Sequence, residues 1–183
     1  QLAYKAKPSQ VRPFHTFPAV SSSKKFSYGI AASYTAKDRR YNPSKNVFNF
    51  DPDAPIIERR RDKRTRPDSG QDAFFVSRIG KSGDVAFGVA DGVGGWADSG
   101  VDPADFSHGF CDYMAYTAWT YPPDDKTPAL SARNLMEKGY EAIAKDEKVK
   151  AGGSTACIGI AKNDGSLEVA NLGDSGFVQL RLN

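Results

Sequence analysis

Val85-Ala86-Phe87-Gly88-Val89-Ala90-Asp91-Gly92-Val93-Gly94-Gly95-Trp96 is an almost wholly apolar run that ends abruptly in a carboxylate set among glycines. Short apolar runs bounded by glycine read as strands buried on both faces. An aspartate buried at the end of such a strand costs free energy unless its charge is compensated, and a cation is the natural compensator. Gly92 has no side chain, so its carbonyl can approach a hard divalent ion beside the Asp91 carboxylate, while Gly94 and Gly95 let the chain turn away. An Asp-Gly pair also closes ordinary hairpins, and this stretch alone leaves both readings open.

Two further segments favour the cation. Upstream, Ser69-Gly70-Gln71-Asp72-Ala73-Phe74-Phe75-Val76 puts a second aspartate at the entry of an apolar, aromatic strand. Downstream, Gly152-Gly153-Ser154-Thr155-Ala156-Cys157-Ile158-Gly159-Ile160 reads as a strand, and Leu167-Glu168-Val169-Ala170-Asn171-Leu172-Gly173-Asp174-Ser175-Gly176-Phe177 as another that ends in Gly-Asp-Ser-Gly. In this order and with these flanks, the sequence resembles the metal-dependent serine/threonine protein phosphatases of the PP2C class. Ala90-Asp91-Gly92-Val93-Gly94-Gly95-Trp96, Gly100-Val101-Asp102-Pro103, Ser154-Thr155-Ala156-Cys157 and Ala170 through Phe177 are similar to the narrower mitochondrial Ptc7-type branch.

The resemblance covers about residues 26–182 and implies an α+β fold, an antiparallel β-sandwich with a helical layer on each side. It implies hydrolysis of phosphoserine and phosphothreonine by a water activated at two adjacent Mg²⁺ or Mn²⁺ ions. Asp91 would bridge the ions, Gly92 would give its carbonyl to one of them, and Asp72 would ligate directly or through water. Asp174 lies where the family can hold a third, weaker metal. Gln71 stands where many members carry Glu, which leaves the outer coordination of one ion open. The family also places an arginine shortly before the first metal-site aspartate to hold the substrate phosphate bidentately, and Arg64 and Arg66 are the candidates here. Further acids of the family, one in a later Asp-Gly and one in an Asp-Asn, are not found. The sequence therefore reads as the N-terminal portion of such a domain, with a strand from Phe177 cut short. The chain alone is expected to hold a divalent ion weakly, to be essentially inactive, and to expose sheet edges.

Composition sets wider bounds. With 183 residues, 39% hydrophobic and 26% charged, the chain has material for a core and a solvated surface. Net charge is only +3, but the first 37 residues carry Lys5, Lys7, Arg12, Lys24, Lys25 and Lys37 and no Asp or Glu. Basic, Ser-rich, acid-poor starts are the signature of organellar transit peptides, and Ser21-Ser22-Ser23-Lys24-Lys25 fits; a disordered basic tail is the bland alternative. Residues 1–25 are thus set apart from 26–183, and the resemblance implies a mitochondrial location, in the matrix or against the inner membrane. No run approaches a membrane-spanning length. Two cysteines, Cys111 and Cys157, exclude a disulfide framework, and Cys157 reads as a small buried hydrophobe.

Along the chain, alternation of Phe26, Tyr28, Ile30, Ala32 and Tyr34 predicts a strand over 26–34. Residues 36–69 read as a long connection. Its Arg59-to-Arg66 run reads as a solvated loop rather than a nucleic-acid surface, because no aromatic residues interleave it. Asp102-Pro103-Ala104-Asp105 opens a helix to about Tyr121, with Phe106, Phe110, Tyr113, Met114 and Trp119 as core and His108 as structural. A linker at 124–127 precedes a second helix starting at Thr127-Pro128, which buries Leu130, Leu135, Met136, Tyr140 and Ile143. Asn163-Asp164-Gly165 closes a hairpin.

Three readings compete: a monomeric phosphatase acting on phosphorylated proteins, a non-catalytic binding module that keeps part of that fold, and a basic RNA- or membrane-associated protein. Fusing residues 1–37 to a fluorescent reporter tests the transit-peptide reading. Mitochondrial fluorescence is expected, and cytosolic fluorescence would remove it.

Overall fold

The computed structural model describes residues 26–51, 54–56, 62–122 and 128–181; the basic segment 1–25, Arg59-Arg60-Arg61 and the linker 124–127 lie outside them. In chain order the elements are β1 (Ala32–Ser33), β2 (Val47–Phe48), a 3₁₀ turn (Lys63–Thr65), β3 (Asp72–Arg78), β4 (Val85–Asp91), a 3₁₀ helix (Gly94–Ser99), α1 (Pro103–Trp119), α2 (Ala132–Ile143), β5 (Ala156–Ala161) and β6 (Leu167–Leu172). The last four strands form one antiparallel sheet in the order β3-β4-β5-β6, and β1 pairs with β2 in a small second sheet.

Strand alternation sorts the large sheet into two faces. Ala73 and Phe75 of β3, Ala86 and Ala90 of β4, and Ile158 and Ile160 of β5 are buried together with Phe110, Met114 and Ala118 of α1 and Leu135 and Ile143 of α2. Phe74 points to the other face, where Phe48 meets its ring edge-on at 5.2 Å and Tyr34 stacks on it at 5.5 Å. Helices on one face of an antiparallel sheet and a second sheet over the other make the α+β, helix-flanked sandwich that the sequence led us to expect. A second helical layer does not occur among the described residues.

The helix starts follow capping chemistry. The Asp102 carboxylate accepts from Ala104 N–H at 3.0 Å with Pro103 at the first position, so α1 begins where expected and ends at Trp119, slightly earlier than predicted. The second helix begins at Ala132, later than Thr127-Pro128, because the Ser131 hydroxyl caps Asn134 N–H at 3.0 Å and Glu168 of β6 accepts from Ala132 N–H at 2.9 Å. Tyr140, expected in its core face, is 58% exposed.

Other expectations are corrected. The strand over 26–34 shrinks to Ala32–Ser33, because Phe26 packs on Gly165 and the Tyr28 hydroxyl donates to the Lys162 carbonyl, anchoring this segment to the β5–β6 turn. The connection 36–69 contains β2 and the 3₁₀ turn. β4 is buried on both faces only in its first half, since Val89 is exposed. Residues 177–181 are not a strand, and Phe177, Val178 and Leu180 are exposed. The hairpin at Asn163-Asp164-Gly165 is present, with Gly165 at φ 89°.

Close packing of α2 on α1 sets a sharp test at Gly139. A Cβ there would stand 2.4 Å from Met114 Cγ and 3.0 Å from Phe110 Cε2, both in buried side chains. Alanine gains about 1 kcal/mol of helix propensity over glycine, whereas overpacking a core costs about 1–3 kcal/mol. Gly139→Ala should therefore lower the urea midpoint, corresponding to a net loss of about 1 kcal/mol. A raised midpoint would show that the interface yields.

Candidate metal centre at the β3–β4 strand ends

β3 and β4 run antiparallel in a register that sets Asp72 directly opposite Asp91. The same register pairs Phe74 with Val89, so both carboxylates share the face turned away from the helices. Residues directly opposite in such a pair have Cβ atoms about 4.5–5.5 Å apart, and like charges there repel. The effect is visible at Asp72, whose carboxyl is held above its usual range by desolvation first, then by its hydrogen bond and charge interaction with Asp91.

Several contacts hold the pair in place. Gly92 N–H donates to the Gln71 carbonyl at 3.2 Å, and a Cβ at Gly92 would stand 2.8 Å from that oxygen and 3.0 Å from the Pro103 carbonyl. The buried Ser107 of α1 donates its hydroxyl to the same Gln71 carbonyl, and Ser69 donates to the Asp72 carbonyl. His108, buried beside Ser107, places Nε2 3.3 Å from the Gly70 carbonyl. Asp91 is bound on both sides of its backbone by Thr155. The chain does not reverse at Asp91-Gly92: Gly92 bridges to Ser154, and the backbone proceeds through the Gly94–Ser99 3₁₀ helix into α1. The hairpin alternative is thereby removed.

The remaining predicted site residues lie on other segments. Asp174 is exposed just beyond β6, and among the described residues no group of three or more His, Cys, Asp or Glu gathers closely enough to hold one ion. Arg64 is 90% exposed and pairs with Asp62 at 3.2 Å. Arg66 is only 6% exposed and is committed to Asp105 of α1 at 2.9 Å, while Lys63 bridges to Asp102 at 2.7 Å. Together these pairs pin the 3₁₀ turn to the start of α1, which Gly92 also touches. Sequence reasoning missed the hydroxyls of Ser107, Thr155 and Ser175; they act across strand and helix boundaries, and no local spacing announces that.

Comparison with known proteins agrees with the motifs that flank these acids. Over 156 residues the chain is 33% identical to the mitochondrial protein phosphatase 2C homolog 7 of Saccharomyces cerevisiae, which covers 85% of this chain and 41% of that protein. The chain is a relative of the Ptc7-type protein phosphatases 2C. It is 32% identical over 168 residues to the protein phosphatase PTC7 homolog fig of Drosophila melanogaster, covering 86% of this chain and 52% of the relative. With the 5-azacytidine resistance protein azr1 of Schizosaccharomyces pombe it shares 40% identity over 116 residues, which is 63% of this chain and 37% of that one. This Ptc7-like chain thus spans about half or less of the length of these relatives. The solved photosystem II phosphatase PBCP aligns at 31% identity over 57% of this chain and 36% of its own, with a TM-score of 0.42. No family model matches.

The strained pair gives a pH prediction. A carboxyl whose folded pKa lies above its unfolded one binds more protons when folded, so stability falls as pH rises through the raised range. In the absence of divalent ions, Asp72→Asn should therefore raise the melting temperature at pH 7. The gain should shrink as pH is lowered through the raised range and be gone below the ordinary carboxylate range. A destabilised variant at pH 7 would contradict the repulsion.

Proposed function

We propose that this chain carries the first part of a metal-dependent phosphoserine/phosphothreonine hydrolase site, with Asp72 and Asp91 holding Mg²⁺ or Mn²⁺ and Gly92 adding its carbonyl. The observation that carries the reading is the cross-strand placement of two carboxylates on one face. Asp72 is held above its usual range by burial first and by Asp91 second. Hard oxygen donors with a surplus of negative charge suit these ions, so the donor set fits. When bound, two adjacent ions supply charge stabilisation for a phosphoryl group and a nucleophile from water at neutral pH.

The chain's own residues supply position. Asp91 would be the principal ligand and Asp72 the flanking one, held in place by the Gly92–Gln71 backbone bond and by the Thr155 amide and hydroxyl on Asp91. Asp174 is the outer acid, available to a further, weaker ion. Of the two arginines Arg64 is the accessible candidate for the substrate phosphate, whereas Arg66 would first have to release Asp105. Phosphorylated proteins are the substrate class, and the mitochondrion is the compartment. The name of the yeast relative supports both, and the basic, acid-free start of the chain supports the compartment.

A non-catalytic phosphoprotein-binding module is the second reading, favoured by the gathering of only two carboxylates among the described residues. Hydrolysis of a phosphoserine peptide with Mn²⁺ tests both, measured on the 183-residue chain and on the longest product of its gene. In the active form, Asp91→Asn should cost about 10²–10³-fold or more in rate, the scale on which one preorganised charge-stabilising group matters. Asp174→Asn should cost less. Full activity of Asp91→Asn at saturating Mn²⁺ would reduce Asp91 to a structural strand-end residue, and phosphopeptide binding without turnover in every form would favour the module.

A further inference from the structure

Thr155 touches both acidic segments at once. Its N–H donates to the Asp91 carbonyl at 2.8 Å, its hydroxyl accepts from the Asp91 N–H at 3.2 Å, and that hydroxyl lies 2.6 Å from the hydroxyl of Ser175. A hydroxyl has two lone pairs and one proton, so after accepting from Asp91 it still has a site for Ser175. The methyl of the same side chain is used as well. A Cβ at Gly173 would stand 2.9 Å from Thr155 Cγ2, and Gly173 has φ 91°, a conformation that side chains rarely adopt. The Asn171 side-chain amide donates to the Gly173 carbonyl at 3.2 Å, closing the turn over the threonine.

We propose that Thr155 is a positioning residue that latches the Gly173-Asp174-Ser175 turn onto the end of β4, so that a divalent cation at Asp91 is felt at Asp174. The latch stands on the contacts above; the transmission to a cation rests on the metal-site reading. Asp91 ends β4 and Asp174 follows β6, two strands that do not pair, and β5 lies between them in the sheet. Thr155, at the entry of β5, is the residue placed to join them, which gives the two acids a mechanical link without a shared ligand.

Amide hydrogen exchange of the 183-residue chain, read by mass spectrometry with and without Mn²⁺, tests each half separately. Thr155→Val keeps the shape and removes the hydroxyl; Thr155→Ser keeps the hydroxyl. Without metal, Thr155→Val should speed exchange of residues 91–93 and 173–176 about tenfold and leave 156–161 unchanged, because local opening is separable from global unfolding. Thr155→Ser should exchange like the wild type, and Ser175→Ala should speed 173–176 alone. With Mn²⁺, exchange should slow in both segments of the wild type but only at 91–93 in Thr155→Val. Unchanged exchange at 173–176 in metal-free Thr155→Val and Ser175→Ala overturns the latch, as does uniform acceleration that includes 156–161. An absence of any Mn²⁺ effect in the wild type overturns the metal reading, and with it the transmission, while the metal-free comparison still decides the latch.

Discussion

Two carboxylates set opposite each other across an antiparallel strand pair repel, and the surroundings of Asp72 and Asp91 are organised to keep them there. One-residue slippage would send either side chain to the opposite face, so the register of β3 on β4 is the constraint on which the site depends. That register is fixed by burial: Ala73, Phe75, Ala86 and Ala90 face the helices and are removed from water, while Phe74 is held by Phe48 and Tyr34 on the other side. The apolar core thereby imposes the electrostatic cost, and a cation is the group that would relieve it.

The helical layer contributes position as well as cover. The start of α1 is tied to the strand ends by Ser107 and His108, which engage the carbonyls of Gln71 and Gly70, and to the 3₁₀ turn by Arg66–Asp105 and Lys63–Asp102. The second pair is exposed and contributes little to stability, whereas the Arg66 pair is shielded and gives that turn a defined place. Its burial also explains why two arginines so near each other in sequence differ in what they offer a ligand.

Much of this arrangement was legible in the sequence. The apolar run ending at Asp91, the aromatic strand after Asp72 and the Asp102-Pro103 cap each carry a local signal, and β3, β4 and α1 begin or end where those signals lie. What escaped was non-local. The alternation over 26–34 is real, but Phe26 and Tyr28 spend it on the distant β5–β6 turn rather than on a strand partner. Ser131 outcompetes Thr127-Pro128 as a helix start because its hydroxyl and the Glu168 carboxylate from β6 both satisfy α2 amides. At the site, residue types pointed to Asp72, Asp91 and Asp174, yet the face that Asp72 and Asp91 share and the role of Thr155 depend on pairing that no single segment encodes.

The central claim is that Asp72 and Asp91 act together as a divalent-cation site, and Mn²⁺ binding followed by electron paramagnetic resonance addresses it without requiring turnover. Titrating the chain should remove free-Mn²⁺ signal, and Asp72→Asn and Asp91→Asn should each weaken binding about tenfold or more, since affinity follows the number of charged ligands. Binding that is equal in the wild type and both variants would contradict the account, as would no binding in any of them at millimolar Mn²⁺.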